Sequence, residues 1–219
     1  MKKANALLVV LTGLSLLVFA SIASAASIAV TNPSFELPAQ GLGGFSVGSI
    51  TGWSAPGVTG VFHPFDAELA SPTDGVQVGF ANTASVSQVL ADTLTANTQY
   101  TLQVDFLARK DCCIWPGSEL DFMAGPTVLA SDQILALPAG GIQTSTVSFT
   151  ALPGNPDLGQ ALEIRITPLT LNSQIDFDNV RLDATPTVVP EPGTPLMLAM
   201  AMLAGVAAWG RRRQNTKHR

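Results

Sequence analysis

Gly44-Phe45-Ser46-Val47-Gly48 fits the Gly-x-Ser-x-Gly pattern in which a serine is raised on a strand-to-helix turn as a nucleophile. That chemistry needs a carboxylate and then a histidine after the serine. The one histidine ahead of the extreme C-terminus, His63, follows 17 residues later with no acid between, and Pro64 beside it marks a loop. No Cys/His cluster has zinc spacing, and no Gly-rich loop ends in Lys-Ser or Lys-Thr to cradle phosphate. Paired carboxylates of the glycosidase kind could come from any of the many acids, so they single out no pair. On these grounds the chain is expected not to be an enzyme.

Whatever it does is positioned by strands. Tyr100, Leu102, Val104 and Phe106 alternate with Thr101, Gln103 and Asp105, and Leu162, Ile164 and Ile166 alternate with Glu163, Arg165 and Thr167. That is the period of half-buried strands. Further strands are predicted over 27–32, 57–62, 76–80, 85–90, 119–123, 142–149 and 174–182, bounded by Pro, Gly, Asn and Asp. No long 3.6-residue period lies between them, so the body is expected to be all-β, a single jelly-roll-like β-sandwich. In the last strand Asp178 shares parity with Val180 and Leu182. If those two face inward its carboxylate does too, and a buried carboxylate needs a partner.

Both ends of the chain carry addresses. Lys2 and Lys3, the apolar run 6–20 and Ala23-Ser24-Ala25 form the three parts of a secretory signal peptide, with cleavage expected after Ala25. At the other end, Pro190 and Pro192 hold Val189-Pro190-Glu191-Pro192 extended and accessible to a processing enzyme. An uncharged stretch then runs to Trp209; as helix, 194–209 is about 24 Å long against about 30 Å of hydrocarbon, a marginal span. Arg211, Arg212 and Arg213 should keep the C-terminus cytoplasmic and the body outside. The expected organisation is a signal peptide (1–25), a β-sandwich domain (26–184), a Pro-rich linker with the sorting motif (185–193), a short transmembrane helix (194–210) and a basic tail (211–219).

The order Pro-Glu-Pro, short apolar helix and Arg cluster resembles the PEP-CTERM sorting signal of Gram-negative bacteria. The resemblance implies export across the inner membrane, transient anchoring by the helix, and processing near the motif by an exosortase-type enzyme, with the mature protein in the cell envelope or extracellular matrix. Without the targeting segments, residues 26–189 hold 4 basic and 15 acidic groups, a net charge of −11 against −5 for the whole chain. A domain this acidic repels nucleic acid and anionic membrane.

Cys112 and Cys113 are adjacent, and no third cysteine exists. A vicinal disulfide, free thiols or links to another chain are the readings open to such a pair, and export favours oxidation.

Asn32-Pro33-Ser34-Phe35-Glu36, Gly52-Trp53 and Ile175-Asp176-Phe177-Asp178-Asn179-Val180-Arg181-Leu182 resemble segments of the galactose-binding-like β-sandwiches, a superfamily that includes many carbohydrate-binding modules. The resemblance implies a structural calcium tying the first strand to the last through the positions of Glu36 and Asp178, with Asp176 a weaker candidate. Hard cations take six to eight oxygens, which suits carboxylates. The other partners open to these acids are Arg181, turn amides and water. Sugar-binding surfaces of such modules present planar side chains. Trp53 and Tyr100 belong to expected core positions, whereas Trp115 lies in a loop, as a ligand-stacking residue or as a local staple.

These readings together describe an exported, non-catalytic envelope or matrix protein whose sandwich binds exopolysaccharide or another surface glycan. The alternatives are a purely structural or adhesive protein and an exopolysaccharide hydrolase.

Overall fold

The alternating strands pair into two antiparallel sheets stacked face to face, in a computed structural model that describes residues 24–170 and 172–187. The sheets comprise β1 (Ala26–Ser27), β2 (Phe45–Val47), β3 (Thr59–Phe62), β4 (Val78–Ala81), β5 (Val86–Thr93), β6 (Thr98–Leu107), β7 (Ser118–Ala124), β8 (Thr127–Ile134), β9 (Ile142–Ala151), β10 (Ala161–Pro168) and β11 (Ile175–Pro186). The larger sheet runs β2-β3-β4-β11-β6-β9, with β1 added on β11, and the smaller runs β5-β10-β7-β8. The sandwich expected from the sequence is therefore the fold. The sorting motif at 189–192, the helix at 194–210 and the Arg triplet lie outside the described residues, as does the signal peptide up to residue 23.

Period-2 burial builds the interior. Tyr100, Leu102, Val104 and Phe106 of β6, with Leu162, Ile164 and Ile166 of β10, point into one apolar core between the sheets. Trp53 and Tyr100 are buried there, Trp53 packing against Phe35 with ring centroids 5.3 Å apart.

Two strands depart from the sequence-based expectation. β2 lies outside the strands predicted from the sequence, because glycines flank its three residues. β8 was not expected at all, since it is an exposed edge strand with little apolar alternation. Gly125-Pro126 turns β7 back into it, with Gly125 at φ 53°, a left-handed conformation that glycine adopts without steric cost.

The outer face of the larger sheet is covered as well, but only at one end. All four residues of β3 and of β4 are buried, because Phe62, Val78 and Phe80 form a second small cluster with Leu69 and Leu107 on the side away from the main core. The cluster sits where β3, β4, β11 and β6 lie side by side: Gly60 faces Phe80, Phe80 faces Asp176, and Asp176 faces Leu107.

Candidate active site on the outer face of the larger sheet

Ile175 and Phe177 enter the main core, so the period of β11 sends Asp176 and Asp178 to the opposite face. This corrects the inward orientation expected for Asp178 from its parity with Val180 and Leu182. A bulge intervenes. Asp178 pairs with Asp105, but Arg181 pairs with Gln103, so β11 fits one extra residue in, and Asn179 takes φ 55°. The extra residue flips the parity, and Val180 and Leu182 return to the core while Asp178 does not.

Beside Asp176 the outer face opens into a cavity of about 270 Å³. Its walls are aromatic and aliphatic, with Phe45 and Val47 from β2, Phe62 from β3, Phe80 from β4 and Val58 at the mouth. Glu68, Asn82, Arg109 and Gln174 supply the polar part of the lining. Gly60 makes the wall possible. A Cβ there would lie 1.8 Å from the backbone oxygen of Ser46, so only glycine lets β2 approach β3.

Asp176 is wholly buried on this face. Gln174, which lines the cavity, donates from Nε2 to Asp176 Oδ1 at 2.6 Å, and Oδ2 has no hydrogen-bond partner among the described residues. Burial pushes its pKa up to about 7, against the opposing pull of the Gln174 hydrogen bond and the charge of Arg109. Arg109 comes from the loop after β6. It is gripped bidentately by Asp111, with both contacts at 2.8 Å, lies 3.6 Å from Glu68, and rests its guanidinium 4.8 Å from the centre of the Phe62 ring. One face of that ring already stabilises a cation.

The site assembles a buried carboxyl whose raised pKa leaves it a proton to release near neutral pH, and aromatic faces able to steady positive charge. It can initiate a cation reaction in an apolar substrate.

Of the residues singled out from the sequence, Asp176 alone stands here, as a buried acid, and the others are placed elsewhere. Glu36 and Asp178 both meet the loop between β3 and β4. Glu36 Oε1 accepts from the amides of Val76 and Gln77, and Asp178 Oδ2 accepts from the amides of Thr73 and Asp74, all at 2.8 Å. Burial raises the Asp178 pKa to about 7 against those amide hydrogen bonds. Among the described residues, no three or more His, Cys, Asp or Glu side chains gather into a group that could hold a metal. Arg181 turns to Asp105 instead, at 3.2 Å.

Trp115 donates from Nε1 to the Ile134 carbonyl at 2.9 Å and meets Phe106 edge-on, which makes it a staple between the β6–β7 loop and β8. Cys112 and Cys113 are joined to each other in that loop, beside a second cavity of about 410 Å³. Ser46 lies in edge strand β2, and its hydroxyl lies 3.3 Å from the Ser49 carbonyl. Nothing in its pattern works as a nucleophile, yet its neighbours Phe45 and Val47 wall the cavity. Asp176 has no motif around it that would have marked it as the central acid.

The C-terminal segment 188–214 matches the PEP-CTERM protein-sorting motif, which marks the chain for export, membrane-anchored sorting and exosortase processing. No curated protein sequence matches the chain. The family model described as HpiC1 cyclase matches residues 26–183. Among solved structures, the Stig cyclase Fisc from Fischerella sp. TAU in complex with (3Z)-3-(1-methyl-2-pyrrolidinylidene)-3H-indole is 31% identical, with a TM-score of 0.67, over 75% of this chain and 100% of that one. A Fischerella sp. TAU cyclase in complex with 4-(1H-indol-3-yl)butan-2-one is also 31% identical over the same shares, with a TM-score of 0.65. The CBM22-1 xylan-binding domain from Paenibacillus barcinonensis Xyn10C aligns at 12% identity and a TM-score of 0.43 over 69% of this chain and 100% of its own, too distant to say anything of this chain's ligand.

These matches overturn the expectation of a non-catalytic glycan-binding or adhesive body, because the relatives that share its full fold at this identity are cyclases. The sequence misled because none of the motifs searched for, a nucleophile elbow, a zinc cluster or a phosphate loop, is a mark of this cyclase family. With the family model spanning the body and Fisc matched over its whole length, the chain belongs to the HpiC1-like cyclase family.

Proposed function

We propose that this protein is an acid-initiated cyclase acting on an indole-bearing substrate in the cavity beside Asp176. The observation that carries the reading is the unpaired Oδ2 of a fully buried carboxyl next to aromatic walls. Family membership supports it, as do the two indole compounds held by the Fischerella cyclases. A cavity of about 270 Å³ sits at the small end of the roughly 300–1,000 Å³ usual for ligand sites, which suits a bicyclic aromatic and not an oligosaccharide.

In this reading Asp176 Oδ2 delivers its proton to a C=C or C=N π bond of the substrate and becomes the carboxylate. A second π bond of the same molecule attacks the resulting cation and forms the new carbon–carbon bond. Loss of a proton from the ring then regenerates the acid, so the product is an isomer of the substrate. The faces of Phe62 and Phe80 steady the cation, and Gln174 keeps the carboxyl in place through Oδ1. Incubating the purified protein with indoles that carry an unsaturated side chain should yield a cyclised product of unchanged mass. Recovery of unaltered indoles across such a series would defeat the reading.

Calcium at Glu36 and Asp178 is proposed as a structural tie. Both are hard oxygen donors facing the loop between β3 and β4, the remaining ligands would be backbone carbonyls and water, and no step of the reaction passes through the ion. We further propose that processing releases the body to the cell envelope or extracellular matrix. Intact mass of protein taken from the native host should then lack Trp209, and a mature chain that keeps it would rule this out.

A further inference from the structure

Among the described residues only three buried side-chain polar atoms lack a hydrogen-bond partner: Asp176 Oδ2, Asn82 Oδ1 and Ser118 Oγ. Asn82 lines the cavity, and Asp176 lies behind its wall, hydrogen-bonded to the lining residue Gln174 and paired with the lining residue Phe80. Ser118 stands at the start of β7 in the other sheet.

Asn82 follows the last residue of β4. Ala81 enters the main core, so Asn82 turns to the outer face with Phe80 and lines the cavity. Its backbone is held on both sides: the amide donates to the Val58 carbonyl at 3.0 Å, and the carbonyl accepts from the Asn172 amide at 2.8 Å. The pairing of Asp176 with Phe80 and of Ile175 with Ala81, continued by one residue, sets Asn82 opposite Gln174. Asn82 and Gln174 therefore form one polar edge of the cavity, apart from Glu68 and Arg109, with Asp176 behind Gln174.

Gln174 is directed at Asp176, which leaves Asn82 as the polar group with no task inside the protein. A buried acceptor without a partner destabilises the fold, so a fixed one at a ligand cavity marks where a donor belongs.

We propose that Asn82 is a specificity-determining residue, its Oδ1 accepting a hydrogen bond from the N–H of the bound indole. The inference rests on the cyclase reading of the cavity and adds the direction of the ring: the nitrogen edge faces Asn82, and the substituent on the carbon side is carried towards the acid. Such a site favours rings with a free N–H over isosteres without one, because the isostere leaves the acceptor buried and unpaired.

The test is calorimetric titration of the purified protein with indole, benzothiophene and 1-methylindole. Benzothiophene keeps the ring size and lacks the N–H. The wild-type protein should bind indole about tenfold more tightly than either analogue, and Asn82→Ala should bind all three alike. Equal affinities in the wild type would overturn the proposal while leaving the cyclase reading intact, and so would a preference for indole that survives Asn82→Ala. Absence of binding by all three would overturn both. The wild-type comparison needs no variant, so it decides even if Asn82→Ala fails to fold.

Discussion

Gln174 donates to Asp176 across two residues of one strand end, at 2.6 Å, and so occupies one oxygen of the carboxyl while leaving the other with no partner. Residues i and i+2 share a face of a strand, so a single turn of sequence supplies both the acid and the group that orients it. Burial raises the pKa of that acid to about 7, so it still holds a proton in part of the molecules near neutral pH, and the register beside Phe80 places it against the aromatic part of the cavity.

Gln174→Met keeps the length of the side chain and removes the donor. The carboxyl is then free to rotate, and misplacement of a reacting group costs about tenfold to a hundredfold in rate. The expected outcome is a fall in kcat of that size with little change in KM, measured by product formation at saturating substrate. An unchanged kcat would remove Gln174 from the orienting role.

Gly60→Ala tests the wall. The new methyl would collide with the Ser46 backbone oxygen at 1.8 Å, so β2 must leave β3 and take Phe45 and Val47 with it. Overpacking of this kind costs about 1–3 kcal/mol. A lower Tm together with loss of indole binding is expected. A variant with wild-type affinity would show that β2 is not part of the site.

Much of the sandwich was legible in the sequence because β6 and β10 alternate apolar and polar residues along their length, and their inward sets form the core as predicted. The outer face was not legible. The parity of Asp178 was carried through Asn179 as though β11 were regular, whereas an asparagine, one of the few non-glycine residues that tolerates positive φ, marks the bulge there. The cavity draws on β2, β3, β4, β11 and the loop after β6, residues far apart in the chain whose meeting depends on sheet order and register. Asp176 itself was read as a lesser metal ligand, since neither pairing nor burial on the second face is written in a local pattern.

Chelation tests the calcium tie. If an ion joins Glu36 to Asp178, adding a chelator lowers the Tm by several degrees and added calcium restores it, because a ligand that binds only the folded state stabilises it by mass action. Glu36→Gln should abolish the response. A Tm indifferent to chelator and calcium would leave the loop amides as the whole of the connection.

The central claim is that Asp176 supplies the proton. Asp176→Asn preserves the shape of the side chain and puts no charge into a fully buried position, so the variant should fold with a Tm close to wild type and still bind indole. Proton donation by a positioned acid contributes about a hundredfold or more to rate, so its turnover of an unsaturated indole to the cyclised isomer should fall at least that far. Turnover within twofold of wild type, from a folded variant, would contradict the account.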